Sequence, residues 1–261
     1  METVRSKDGT TIAFDRAGRG DPLILVGGAF SQRAFPPLAD LVPALESHFT
    51  VYNYDRRGRG DSGDTPPYAV PREVEDLAAI IGAAGGSANV YGISSGAALA
   101  LEAAASGLAI KRLALLEPPL AVADASRTPP QDLVPRVAEM VAAGRNGDAV
   151  VAFFREGIGL PAETVAEMRQ MPMWMAFELV AHTIVYDLSI VADEGLLHER
   201  APRVSVPTLV IAGGESSAPM RDAARALADA MPDARLLMLE GQDHAADPAA
   251  VAPALIAFFS E

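Results

Sequence analysis

Short apolar runs alternate with amphipathic stretches along most of the chain, which predicts a largely parallel, twisted sheet with helices on both faces. Residues 10–14 and the segment before them read as a hairpin around Asp8 and Gly9. Residues 22–26 are continuously apolar up to Gly27 and Gly28, as in a strand buried on both faces, and 51–54 form a second such run ending at Asp55. Between 71 and 84, Val74, Leu77, Ala78 and Ile81 recur at helical spacing; Glu73, Glu75 and Asp76 suit the first turn and Gly85-Gly86 the stop. Residues 88–91 and 113–116 predict two strands around an alanine-rich helix over 97–105, the second halted by Pro118 and Pro119. Residues 208–212 and 236–239 read as two further buried strands, and Asp247-Pro248 caps a final helix running through Phe259.

The alternation breaks between about 120 and 205. No buried-strand run occurs there; the period is helical, punctuated by Pro129, Pro130, Pro161, Pro172 and Pro202. This stretch holds Met140, Met168, Met171, Met173, Met175 and the only tryptophan, Trp174. The expected organisation is a core over 1–118 and 206–261 with a helical lid, 119–205, inserted between two of its strands. Methionine adapts its shape, so such a lid suits a pocket that closes over an apolar group, with Trp174, Met171, Met175 and His182 as candidate lining.

The 261 residues leave ample length for a hydrophobic core. Lys and Arg number 21 against 34 acids, a formal charge of -13, and the one basic knot, Arg56, Arg57 and Arg59, is interleaved with glycine. A nucleic acid or an anionic membrane is therefore not an expected partner, and a small molecule is. There is no cysteine, which removes a thiol nucleophile and a disulfide framework. Residues 1–9 carry charges where a signal peptide needs apolar residues, and no apolar run approaches a membrane span, so a cytoplasmic location is expected. Composition says nothing of oligomeric state.

Gly92-Ile93-Ser94-Ser95-Gly96 is a G-x-S-x-G pentapeptide set between a strand and a helix. That context predicts a tight elbow that projects the Ser94 hydroxyl above the sheet edge. With the opening hairpin, the Gly27-Gly28 turn, Asp55-Arg56-Arg57-Gly58-Arg59-Gly60-Asp61-Ser62, the helical insert and Gly241-Gln242-Asp243-His244 in that order, the whole chain resembles the α/β-hydrolase superfamily. The resemblance implies an α/β-hydrolase fold and a serine hydrolase needing no cofactor or metal. It makes the Asp55 to Ser62 stretch a structural corner without a catalytic role.

A serine hydroxyl needs a base to take its proton as it attacks a carbonyl. His244 follows the last predicted strand by a short loop at the same sheet edge as Ser94, where the superfamily carries its histidine; His48, His182 and His198 read as surface or pocket-wall residues. The amides of Ala29 and Ser95 are the expected oxyanion donors. The superfamily usually has histidine where Gly27 stands, a change that alters how the turn is braced. Its usual acid, an Asp after the strand that follows the lid, is also missing, because that strand runs into Gly213-Gly214-Glu215-Ser216-Ser217. Some members, haloalkane dehalogenases among them, use an acid at the end of the strand after the elbow helix, the position of Glu117. Glu215 is the runner-up, Asp222 a distant third, and Asp243 adjoins His244 too closely to orient it. The implied reaction is hydrolysis of a small to medium, apolar carboxylic ester, thioester or lactone through an acyl-enzyme on Ser94. Perhydrolysis of the non-haem haloperoxidase type, C–C cleavage and a hydrolase-like small-molecule binding protein stay open.

Overall fold

In the computed structural model, which describes residues 1–120, 130 and 132–261, eight strands form one sheet in the order β1-β2-β4-β3-β5-β6-β7-β8. β1 (Glu2–Arg5), β2 (Thr11–Gly18) and β4 (Phe49–Tyr54) pair antiparallel in succession. β3 (Asp21–Val26), β4, β5 (Ala88–Ile93), β6 (Ile110–Leu116), β7 (Thr208–Gly213) and β8 (Ala234–Leu239) run parallel. Every residue of β5 and β7 is buried, as expected of strands covered on both faces. β8 departs from its buried reading: it is an edge strand, paired on one side with β7, and Leu236 is 38% exposed.

The period-2 alternation of the strands sorts their side chains into two cores. α1 (Leu38–Leu45) and α10 (Pro248–Phe259) cover the face that carries Leu23, Leu25, Tyr91, Leu116 and Ile211. α2 (Val70–Ala83), α3 (Ser95–Ala105) and α9 (Ala218–Ala230) cover the other, with Ile24, Val26, Val90, Leu115 and Val210. The Asp247 carboxylate accepts the Ala249 amide at 2.8 Å and so caps α10 as its sequence predicts. α3 is buried almost all round, and its small Ala97, Ala98 and Ala100 let it lie close on the sheet. In α2, Ala78 faces solvent and Ile80 is buried. Glu73 and Asp76, expected merely to complement the helix dipole, are buried instead, because both are partners of buried arginines.

Between β6 and β7 lie α4 (Leu133–Ala142), α5 (Asn146–Ala152) continuing into a wider turn at Phe153–Ile158, α6 (Ala162–Met168), α7 (Trp174–Leu179) and α8 (Ile184–Val191). This insert has its own apolar centre, including Leu133, Val137, Val150, Phe154, Trp174, Ile184 and Leu188. Pro161 and Pro172 precede α6 and α7, while Pro129 lies outside the described residues. No described helix is long and apolar enough to cross a membrane.

Candidate active site

Strand β5 turns into α3 at Ser94, whose φ of 56° and ψ of −128° lie where a side chain is strained. The flanking glycines make the turn possible: a Cβ on Gly92 would sit 2.6 Å from the Gly96 carbonyl oxygen, and one on Gly96 would sit 2.4 Å from that of Val26. The Ser94 amide donates to Leu116 O at 2.9 Å, which ties the elbow to the end of β6. Among the described residues, the other non-glycine positions with positive φ are Phe30 (60°) and Glu117 (45°). Backbone strain therefore gathers at the carboxyl ends of β3, β5 and β6, as it does at sites where geometry serves function.

Glu117 follows β6, is fully buried, and accepts a hydrogen bond from the Gly213 amide on Oε1 at 2.8 Å. Its Oε2 lies 2.7 Å from Nδ1 of His244, a half-exposed ring. Burial alone would raise this carboxyl, but hydrogen bonding to His244 and to the Gly213 amide, with the nearby Ser216 hydroxyl, holds it below the usual carboxylate range. An ionised Glu117 accepts only, so Nδ1 of His244 is the donor in this contact. The His244 loop is pinned where the Glu215 amide donates to Gln242 O at 2.9 Å. The Glu215 side chain is exposed, Asp222 pairs with Arg225, and Asp243 accepts the Ala245 amide, so it is Glu117 that the fold brings to His244. His48 lies at the opposite end of the sheet beside Asp21 and Lys111, and His198 is exposed.

The loop after β3 reaches the elbow directly: a Cβ on Gly28 would be 3.0 Å from Cβ of Ser94. Beyond it, Phe30 packs on Phe153, Phe154 and Phe177 of the insert, at ring-centre separations of 4.7–5.5 Å. Trp174 joins this cluster through Phe154 and Phe177, and its indole N–H donates to Glu178. Met171 and Met175 are 49% and 69% exposed, and His182 faces Asp64 and Tyr186. The side chains that the insert lays against Phe30 are thus aromatic.

Beneath the same loop lies a cluster of buried charge. Arg56 grips Glu73 with two 2.7 Å bonds and reaches Asp187 of α8 at 2.7 Å and Gly27 O at 3.2 Å. Arg59 donates to Asp187 at 2.6 Å, to Gly28 O at 2.6 Å and to the Thr183 hydroxyl at 3.1 Å. The Ser95 hydroxyl donates to Asp187 at 2.7 Å. Burial would raise Asp187, but the two guanidinium groups hold it below its ordinary value. Arg57, equally buried, is gripped by Asp76, with Asp8 and the Arg72 carbonyl as further partners. The sequence reading missed Asp187. Its signal is an acid alone in the apolar run of α8, which must be either exposed or matched by a cation.

Comparison with known proteins identifies the family and the fold. A model described as the alpha/beta hydrolase family matches residues 23–254. An alpha/beta hydrolase from Sphaerobacter thermophilus DSM 20745 is 56% identical with a TM-score of 0.92, over 99% of this chain and 100% of that one. The enol-lactonase from Burkholderia xenovorans LB400 (24% identity, TM-score 0.71, 100% of both chains) shares the fold. So does a thermophilic esterase from Thermogutta terrifontis (22%, 0.74, 99% of this chain and 97% of that one). With a strand-to-helix elbow, a mostly parallel eight-stranded sheet and a family match along nearly its whole length, the chain belongs to the alpha/beta hydrolase family and is a hydrolase.

Proposed function

We propose that the enzyme hydrolyses a small to medium, apolar carboxylic ester, thioester or lactone by acyl transfer to Ser94. The observation that carries this reading is the 2.7 Å contact of His244 Nδ1 with the buried Glu117 carboxylate, at the sheet edge that also holds the strained Ser94. Ser94 Oγ attacks the carbonyl carbon while Nε2 of His244 takes its proton, and Glu117 stabilises the imidazolium that forms. The carbonyl oxygen becomes an oxyanion held by the amides of Ala29 and Ser95. As the intermediate collapses, His244 returns the proton to the leaving alcohol or thiol. Water then attacks the acyl-enzyme with His244 again as base, freeing the acid and Ser94. The insert serves as the lid. Phe30, Phe153, Phe154 and Phe177 favour an apolar acyl group, with Trp174 behind them and Met171, Met175 and His182 assigned to the outer wall.

Two measurements test the reading. A fluorophosphonate should label the folded protein at Ser94, and labelling elsewhere or none at all overturns the nucleophile. Across p-nitrophenyl esters and lactones of graded chain length, Ser94→Ala should lose at least about a thousandfold in kcat. Turnover that survives this change sinks the acyl-enzyme.

A further inference from the structure

We propose that Arg59 and Asp187 are positioning residues for the oxyanion site, so that helix α8 of the insert orients the very peptides that hold the tetrahedral adduct. The inference rests on the Ser94 acyl-transfer reading. The Gly28 carbonyl and the Ala29 N–H belong to one planar peptide, so fixing the oxygen fixes the direction in which the N–H points. Arg59 fixes that oxygen with a 2.6 Å charge-assisted bond. Drawing electron density toward the oxygen also polarises the peptide and strengthens its N–H as a donor. Arg56 holds the preceding carbonyl, that of Gly27, in the same way.

The guanidinium of Arg59 cannot swing, because its other nitrogens are held by Asp187 and Thr183. Asp187 also accepts the Ser95 hydroxyl, on the residue that supplies the second oxyanion N–H. One carboxylate on the insert thereby anchors both donors. The charges of Arg56, Arg59, Glu73 and Asp187 sum to zero, so the cluster acts on the oxyanion through orientation rather than through a net positive field. It also supplies a brace for the turn where Gly27 replaces the superfamily's histidine.

Arg57 offers an internal control. It is as buried as Arg59 and gripped by Asp76, yet the backbone carbonyl it binds is that of Arg72 in α2 and not one of the loop after β3. The experiment compares wild type, Arg59→Lys and Arg57→Lys by the second-order rate of fluorophosphonate labelling, by kcat and KM on a p-nitrophenyl ester, and by Tm. Lysine keeps the charge but cannot hold Gly28 O, Asp187 and Thr183 together. Arg59→Lys should slow both labelling and kcat about 10- to 100-fold while KM stays within about twofold. Arg57→Lys should lower Tm at least as much with labelling and kcat within about twofold of wild type. Equal losses of rate in the two variants, or an unchanged rate in Arg59→Lys, overturn the inference while leaving Ser94 intact. Absence of labelling in wild type overturns the underlying reading instead. Should Arg59→Lys fail to fold, Thr183→Val removes the hydroxyl that accepts from Arg59 and donates to the Val180 carbonyl. It should slow labelling about 3- to 10-fold at constant KM, and an unchanged rate refutes the proposal.

Discussion

Two sets of paired acids and bases lie at one edge of the sheet, and they differ in what water can reach. Glu117 is fully buried, but its partner His244 is 48% exposed, so this pair has one member able to meet a substrate and exchange a proton. Arg56, Arg59, Glu73 and Asp187 are all within 2% of complete burial, and each meets an opposite charge. Taking such groups out of water costs several kcal/mol apiece, which good geometry offsets only while every partner is present. The first arrangement presents a titratable ring to solvent, and the second presents no charge to it. A corner read from sequence as structural thus also reaches, through the Gly27 and Gly28 carbonyls, the sheet edge that carries Ser94.

The sharpest way to break this contrast is Glu117→Gln. The amide oxygen can still accept from Gly213, but its NH2 group then meets Nδ1 of His244 and selects the wrong tautomer. A fall in kcat of about a thousand- to ten-thousandfold with little change in Tm is expected, while Glu215→Gln stays within about twofold. A reversal of those two results would move the acid to Glu215. Next in size, Asp187→Ala leaves Arg56 and Arg59 facing each other without their shared counter-charge. Urea unfolding should show a loss of about 3–5 kcal/mol, and a loss below about 1 kcal/mol would show that the cluster does not hold the insert. Ser94→Gly removes the side chain from a strained φ and should raise stability by about 1 kcal/mol while abolishing turnover, a trade that marks the elbow as built for function.

The smallest effect concerns pH. The folded-state carboxyl of Glu117 is held below its unfolded value, so its contribution to stability is complete above the ordinary glutamate range and is lost as pH falls through the folded value below it. Urea midpoints followed down through that window should fall less steeply in Glu117→Gln than in wild type. Parallel curves would mean that the His244 contact does not stabilise the folded state.

Part of the candidate site was legible in the sequence. Glu117 and His244 are 127 positions apart, yet each follows a predicted strand of a parallel sheet, and a parallel sheet delivers the residues after its strands to one edge. The same logic placed Ser94. Arg59 and Asp187 are 128 positions apart and were not legible, because the period of a helix in the insert says which of its faces is apolar but not where that face docks on the sheet. The methionine-rich stretch shows the same gap: its composition pointed to Met171 and Met175, while the packing set Phe153, Phe154 and Phe177 against Phe30.

The alternation of strands and helices around a helical insert, and the glycine-flanked elbow, are written in the sequence itself. These follow from local rules of period, sterics and residue chemistry. Only the tertiary structure decided which carboxylate meets His244, why three arginines at a glycine-rich turn are buried, and that an acid in α8 reaches the elbow loop. Burial and pairing of charge depend on segments distant in the chain, and their free energy is set only when the insert closes on the sheet.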